Sequence, residues 1–109
     1  MATSALINIY DENDNHLLGI HIQYDGGKIL KTNLDRIIKE GRYINALSLS
    51  TPVLGEAFLG MGCFAASLIS ILKKECGNVF ITKNTNALNM YDYTYDIRFD
   101  NEKNKIVMY

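Results

Sequence analysis

Only two cysteines, one proline and three arginines occur in the 109 residues of this chain. Cys63 and Cys76 lie thirteen positions apart, a spacing that matches no metal-ligand pattern, so both are expected as reduced thiols in a reducing compartment. The formal charge is −1 with lysines spread along the chain, which leaves no basic field to neutralise a phosphate backbone. Duplex nucleic acid is therefore excluded as an expected partner. The longest charge-free run, Ala57 to Leu72, has sixteen residues and includes glycines and serines. That is short of the roughly 20 apolar residues a membrane-crossing helix needs, so no membrane association is expected. Neither a signal segment nor a basic presequence is apparent, and a cytoplasmic location is expected.

What is present is the composition of an ordinary globular protein, 48% hydrophobic and 21% charged. A chain of this length suits one domain, residues 1–109, built around one core. The charge-free run, AFLGMGCFAASLISIL, reads as a buried helix crowded with small residues, which lets a backbone or a ligand approach closely.

Alternation at the N-terminus sets Leu6, Asn8 and Tyr10 against Ile7 and Ile9, which predicts a strand. Asp11 to Asn15 is a polar turn, and Leu18, Ile20, Ile22 and Tyr24 then alternate against Gly19, His21 and Gln23 to complete a hairpin. Asp25, Gly26 and Gly27 stop the second strand, the paired glycines permitting positive φ. Thr32 and Asp35 have capping-box spacing before a short helix that Gly41 ends. Arg42 to Ser50 reads as a connection. Thr51 and Pro52 are placed to cap the next helix, whose secure part is Met61 to Glu75, with Lys73 and Lys74 near its C-terminal end and Gly77 after it. Asn78 to Thr82 forms a short strand. Tyr91, Tyr93, Tyr95, Ile97 and Phe99 then alternate against Asp92, Thr94, Asp96 and Arg98, and Lys105 to Tyr109 supplies the last strand. The order β-β-α-α-β-β-β predicts an α+β fold, an antiparallel sheet with two helices packed on one face.

Several patterns invite a chemical reading. Asp11, Asn13 and Asn15 begin like a calcium loop, but His16 replaces its glycine and Ile22 its closing glutamate, so a polar turn is the better reading. Gly60, Gly62 and Ala65 spell the short dinucleotide fingerprint without a clear preceding strand or a ribose-binding acid; exposed amides near Met61 and Gly62 remain candidates for holding an anion, against close helix packing. Cys63 with His21 has the types of a nucleophile and base, yet no orienting third group accompanies them. No metal site and no cofactor is expected. Tyr91, Tyr93 and Tyr95 suit a core or a stacking platform. Arg98 suits either a cross-strand ion pair or a fork for phosphate.

Three motifs give the chain a family likeness. Tyr24, Asp25 and Gly26 form an aromatic-Asp-Gly turn after the hairpin; Met61 to Ala66 reads Met-Gly-Cys-hydrophobic-Ala-Ala; and Tyr93, Tyr95 and Ile97 form a Tyr-x-Tyr-x-hydrophobic strand. In these the chain resembles small phage and prophage proteins, including the Thoeris anti-defence sponge proteins, although the loop after its Asp-Gly turn is short. The resemblance implies non-catalytic sequestration of a cyclic ADP-ribose-type immune signal in the host cytoplasm, by a homodimer or larger homo-oligomer with pockets at subunit interfaces. It also implies Phe80 and Asn89 for stacking and base-edge contacts, Arg98 for the pyrophosphate, and supporting roles for Met61, Gly62, Tyr24 and Asp25. The glycine- and alanine-rich helix and seven tyrosines independently suggest an oligomer. A module that binds and blocks a host protein, and a hydrolase using Cys63, are the competing classes.

Overall fold

Period-two alternation builds the centre of the molecule. In a computed structural model, which describes residues 3–24, 26–44, 57–74, 76–83 and 91–109, strand β1 (Ala5–Tyr10) pairs antiparallel with β2 (His16–Ile22). The turn between them is tied by Asp11, whose Oδ1 accepts the N–H groups of Asn13 at 2.9 Å and Asn15 at 2.8 Å, while Asp14 adopts φ 66°. A short polar side chain at each of these places supplies the bonds that the ladder no longer makes.

Five strands form one sheet in the order β5-β2-β1-β6-β7, with β5 at Val79–Thr82, β6 at Tyr93–Asp100 and β7 at Lys105–Met108. β5 runs antiparallel to β2, and β7 antiparallel to β6. β6, however, runs parallel to β1, so the sheet is mixed and not the purely antiparallel one expected. Alternation decides which face each residue takes but is identical for both strand directions, and direction is set by the distant connection.

Ala5, Ile7 and Ile9 of β1, Ile20 and Ile22 of β2, and Tyr95 and Ile97 of β6 share the face that packs under two helices. α1 (Lys28–Glu40) contributes Leu30, Leu34 and Ile37, and α2 (Gly60–Leu72) contributes Met61, Phe64, Ala65 and Leu68. These are helical spacings, and each large side chain so buried contributes about 1.5–3 kcal/mol. The α+β class and the order of its main elements are as expected.

Local details depart from the sequence reading. α1 begins at Lys28, so Thr32 lies inside the helix, where its Oγ1 donates to the Lys28 carbonyl at 3.0 Å and no capping box forms. Leu30 explains the earlier start, since it extends the apolar stripe by a turn. Gly27 has φ −89°, and Gly26 serves close approach: a Cβ there would stand 2.6 Å from the Ala5 Cβ. Arg42–Ile44 is a short strand, β3, paired parallel with β4 (Ala57–Leu59), where a connection and the first part of a helix were expected. Thr51 and Pro52 lie outside the described residues. α2 ends at Leu72, before the expected Glu75.

Candidate functional site

The first helix turn of α2 is already engaged with a carboxylate. Gly60, at φ 88°, turns the chain from β4 into α2, and Glu12 reaches from the β1–β2 turn so that its Oε2 accepts the Met61 N–H at 3.0 Å. A Cβ on Gly60 would stand 3.2 Å from that oxygen. The anion expected at the Met61 and Gly62 amides is thus met at Met61 by a side chain of the protein itself, the arrangement a helix N-terminus favours. The Met61 side chain is fully buried in the core.

Phe80 stands on the opposite face of the sheet, on edge strand β5, and is half-exposed at 46%. His21 lies edge-on to it with ring centroids 5.6 Å apart, and His21 Nδ1 is 2.8 Å from the Tyr91 hydroxyl. Tyr91 therefore belongs to this aromatic group and does not continue the face of Tyr93 and Tyr95, because it precedes the strand whose alternation it was assigned to. Lys73 Nζ sits 5.6 Å from the Phe80 ring centroid and donates to the carbonyls of Gly77 and Val79, at 2.9 and 3.1 Å.

Arg98 occupies the far corner of that same outer face. Its guanidinium stacks 3.7 Å from the Tyr10 ring centroid, pairs with Asp14 of the hairpin turn and lies 3.9 Å from an Asp96 oxygen. Burial alone would lower the Arg98 pKa, but the hydrogen bond that its guanidinium donates to Asp14 and the charges around it raise it overall. A chain of polar contacts continues through buried Asn8, whose Nδ2 donates to Asp96 Oδ1 at 3.3 Å and whose Oδ1 lies 3.0 Å from His16 Nε2. Arg98 is thus held in an ion pair, but its partners are the hairpin turn and its own strand instead of a neighbouring strand, and its side chain is 30% exposed.

Within one copy, Phe80 and Arg98 do not meet. Phe80 pairs with His21, His21 with Leu6, and Leu6 with Thr94, which places Phe80 level with Thr94 and three strands away. Arg98 is four residues farther along β6, so strand spacing and residue rise separate the two backbones by about 19 Å. Tyr24 is elsewhere again, past the end of β2, with its N–H bonded to Asn78 Oδ1 at 2.8 Å and its side chain over a shallow hollow beside Leu30 and Leu72. Asn89 and Asp25 lie outside the described residues. Cys63 and His21 are on opposite sides of the sheet, since α2 packs on the core face and His21 pairs level with Leu6 on the other.

One concavity was not expected from sequence. A cleft of about 660 Å³ opens between α1 and the start of β6, bounded by Lys28, Lys31, Asp35, Tyr93, Tyr95 and the end of β7. The Tyr93 and Tyr95 rings lie parallel, 6.3 Å between centroids with 2° between planes. Tyr95 is anchored: its hydroxyl donates to the carbonyls of Gly26 at 3.1 Å and Gly27 at 3.3 Å, and burial, then Tyr93 and Asp35, raise its pKa. The regular alternation of the tyrosines was a usable signal for this cleft; the two lysines carried none, because the capping pattern at Thr32 placed both of them before the helix.

Among the described residues no group of three His, Cys, Asp or Glu side chains gathers to hold a metal ion, and no helix is long and apolar enough to cross a membrane. In comparisons with known proteins, no family model, no curated protein and no solved structure matches this chain.

Proposed function

We propose that this protein captures a cyclic ADP-ribose-type nucleotide without altering it, in a pocket completed between copies of the chain, as the phage anti-defence proteins it resembles do. The observation that carries this reading is the half-exposed Phe80 ring on an edge strand, backed by His21 and Tyr91. An aromatic face of this kind offers a base about 1–3 kcal/mol of stacking. The ligand also carries two negative charges, for which Arg98 supplies a fork of donors.

The separation of Phe80 from Arg98 supports the interface part of the reading. About 19 Å is far beyond the span from a base to the phosphates on its own ribose, so a ligand touching both takes them from different subunits. Arg98 is available for this because an exposed pair such as Arg98–Asp14 contributes only about 0–1 kcal/mol, and exchanging Asp14 for a pyrophosphate costs little. The resemblance also implies Asn89, which lies outside the described residues, for contacts to the base edge.

The exposed Ile81 and Phe80 side chains on edge strand β5 favour a second reading, a module that binds a host protein by strand addition. Titration calorimetry with the purified cyclic nucleotide separates the two. Capture predicts saturable binding that Phe80→Ala weakens by about 1–3 kcal/mol, the range for a lost stacking contact. Heating the complex should then release the ligand chemically intact. Absence of binding would refute capture of this ligand, and a released product would refute its non-catalytic character.

A further inference from the structure

The cleft beside α1 has the features of a second ligand site on the core-side edge of the sheet, distinct from the Phe80 face. Three features converge there. Tyr93 is 47% exposed and is backed by Tyr95, whose one hydroxyl proton is shared between the carbonyls of Gly26 and Gly27 and fixes the ring beneath it. A fixed ring under an exposed one is a stack begun by the protein, and a planar ligand can extend it with little loss of side-chain freedom.

Lys28 and Lys31 supply the second feature. They are three apart on α1, which sets their Cβ atoms about 5–6 Å from each other on one helix face. Both line the cleft, and among the described residues neither ammonium is paired with a carboxylate. Two such charges converge on one group when that group is compact and doubly charged, as a terminal phosphate is.

Asp35 is the third. It lies on the same helix face one turn beyond Lys31 and about 10 Å along the axis from Lys28. A carboxylate there accepts hydrogen bonds from sugar hydroxyls and repels further phosphates. The cleft volume of about 660 Å³ lies within the range of small-molecule sites, roughly 300–1,000 Å³.

We infer that this cleft binds a nucleoside monophosphate: the phosphate between Lys28 and Lys31, the base on Tyr93, and the ribose hydroxyls toward Asp35. The site does not depend on capture at the Phe80 face, so either can fail without the other. Its order of preference is fixed by the three features. Adenosine lacks the group the lysines hold, inorganic phosphate lacks the ring, and ATP brings charge that Asp35 opposes.

Titration calorimetry of the full chain with AMP, adenosine, inorganic phosphate and ATP tests this. AMP should bind at least tenfold more tightly than any of the other three. Lys28→Ala combined with Lys31→Ala, and separately Tyr93→Ala, should each weaken AMP binding at least tenfold; Asp35→Asn should narrow the gap between ATP and AMP. All four side chains are exposed or at the cleft rim, and thermal melting of each variant confirms that it folds; Lys28→Gln with Lys31→Gln serves if the alanine pair does not. Absence of AMP binding, equal affinity for AMP and adenosine, or AMP affinity unchanged in the lysine variants would overturn the inference. So would competition between AMP and the cyclic nucleotide with loss of both on Phe80→Ala, which would place them in one site.

Discussion

Replacing Glu12 by alanine removes the acceptor of the Met61 N–H and leaves the start of α2 without its carboxylate. Glu12 lies 49 residues from Met61, so the contact ties the β1–β2 turn to the helix that fills the core. A hydrogen bond to a charged group contributes about 1.5–3 kcal/mol. Favourable placement of a negative charge at a helix N-terminus is worth about 0.3–1 kcal/mol, an overlapping quantity that should not be added in full. Because Glu12 is only half-buried, the expected loss is about 2 kcal/mol, which for a domain of this size lowers Tm by about 8 °C. Glu12→Gln keeps an oxygen in place but no charge, and about half the loss is expected. Thermal unfolding followed by circular dichroism gives both values. Acetate added to Glu12→Ala should restore part of the lost Tm by occupying the vacated position, and should do nothing for Leu68→Ala, whose defect is a cavity. Melting of Glu12→Ala within about 2 °C of the unmodified protein would refute the capping role.

Three further outcomes follow from contacts around Tyr95 and Gly26. Tyr95→Phe deletes the hydroxyl that bonds Gly26 and Gly27 and should cost about 0.5–1.5 kcal/mol at neutral pH, measured by urea unfolding. The fold raises the pKa of Tyr95 and of Tyr10, with burial the largest cause for each, so their contribution is complete below the unfolded phenol value of about 10 and is lost as pH rises through the raised folded values. Melts at increasing alkaline pH should show a shallower decline for Tyr95→Phe than for the unmodified protein; parallel declines would contradict this. Gly26→Ala would drive a methyl to 2.6 Å from the Ala5 Cβ and 2.8 Å from its backbone nitrogen, atoms of a central strand that cannot yield. Overpacking of this kind costs about 1–3 kcal/mol, and a change in urea midpoint equivalent to less than about 0.5 kcal/mol would show that the approach is not tight.

Much of the fold was legible because side-chain period maps directly onto burial. Ile7, Ile9, Ile20, Ile22, Tyr95 and Ile97 all lie on the core face that their alternation indicates. The polar turn at Asp11 was equally clear, since Asp and Asn bond their own backbone whatever surrounds them. The parallel pairing of β1 with β6 was not legible, nor was the β3–β4 pair, because pairing partners far apart in sequence leave no local trace. The spacing of Thr32 and Asp35 misled for a related reason: a capping pattern has the same letters inside a helix as at its end, and the Leu30 stripe decides between them.

The candidate sites divide along the same line. Phe80 was singled out only by the resemblance, whereas Arg98 was also a candidate from its place on a polar strand face. Their 19 Å separation, on the order set by strand spacing, was not visible, because it depends on the sheet order β5-β2-β1-β6-β7. Glu12 escaped notice because its partner is 49 residues away, and Lys28 and Lys31 because the capping pattern at Thr32 left them ahead of the helix, with no shared helix face to read.

Mixing of variants asks whether one cyclic nucleotide is held by Phe80 of one subunit and Arg98 of another. Phe80→Ala and Arg98→Ala are each prepared as pure proteins and titrated separately, then unfolded together, refolded as mixed oligomers and titrated again. Each pure variant should bind weakly. In a mixed two-fold dimer, one pocket receives Phe80 from the Arg98→Ala chain and Arg98 from the Phe80→Ala chain, so a fraction of sites should regain the affinity of the unmodified protein. A mixture that binds no better than its two components, or a chain that stays monomeric while binding the nucleotide at full affinity, would refute a pocket shared between subunits.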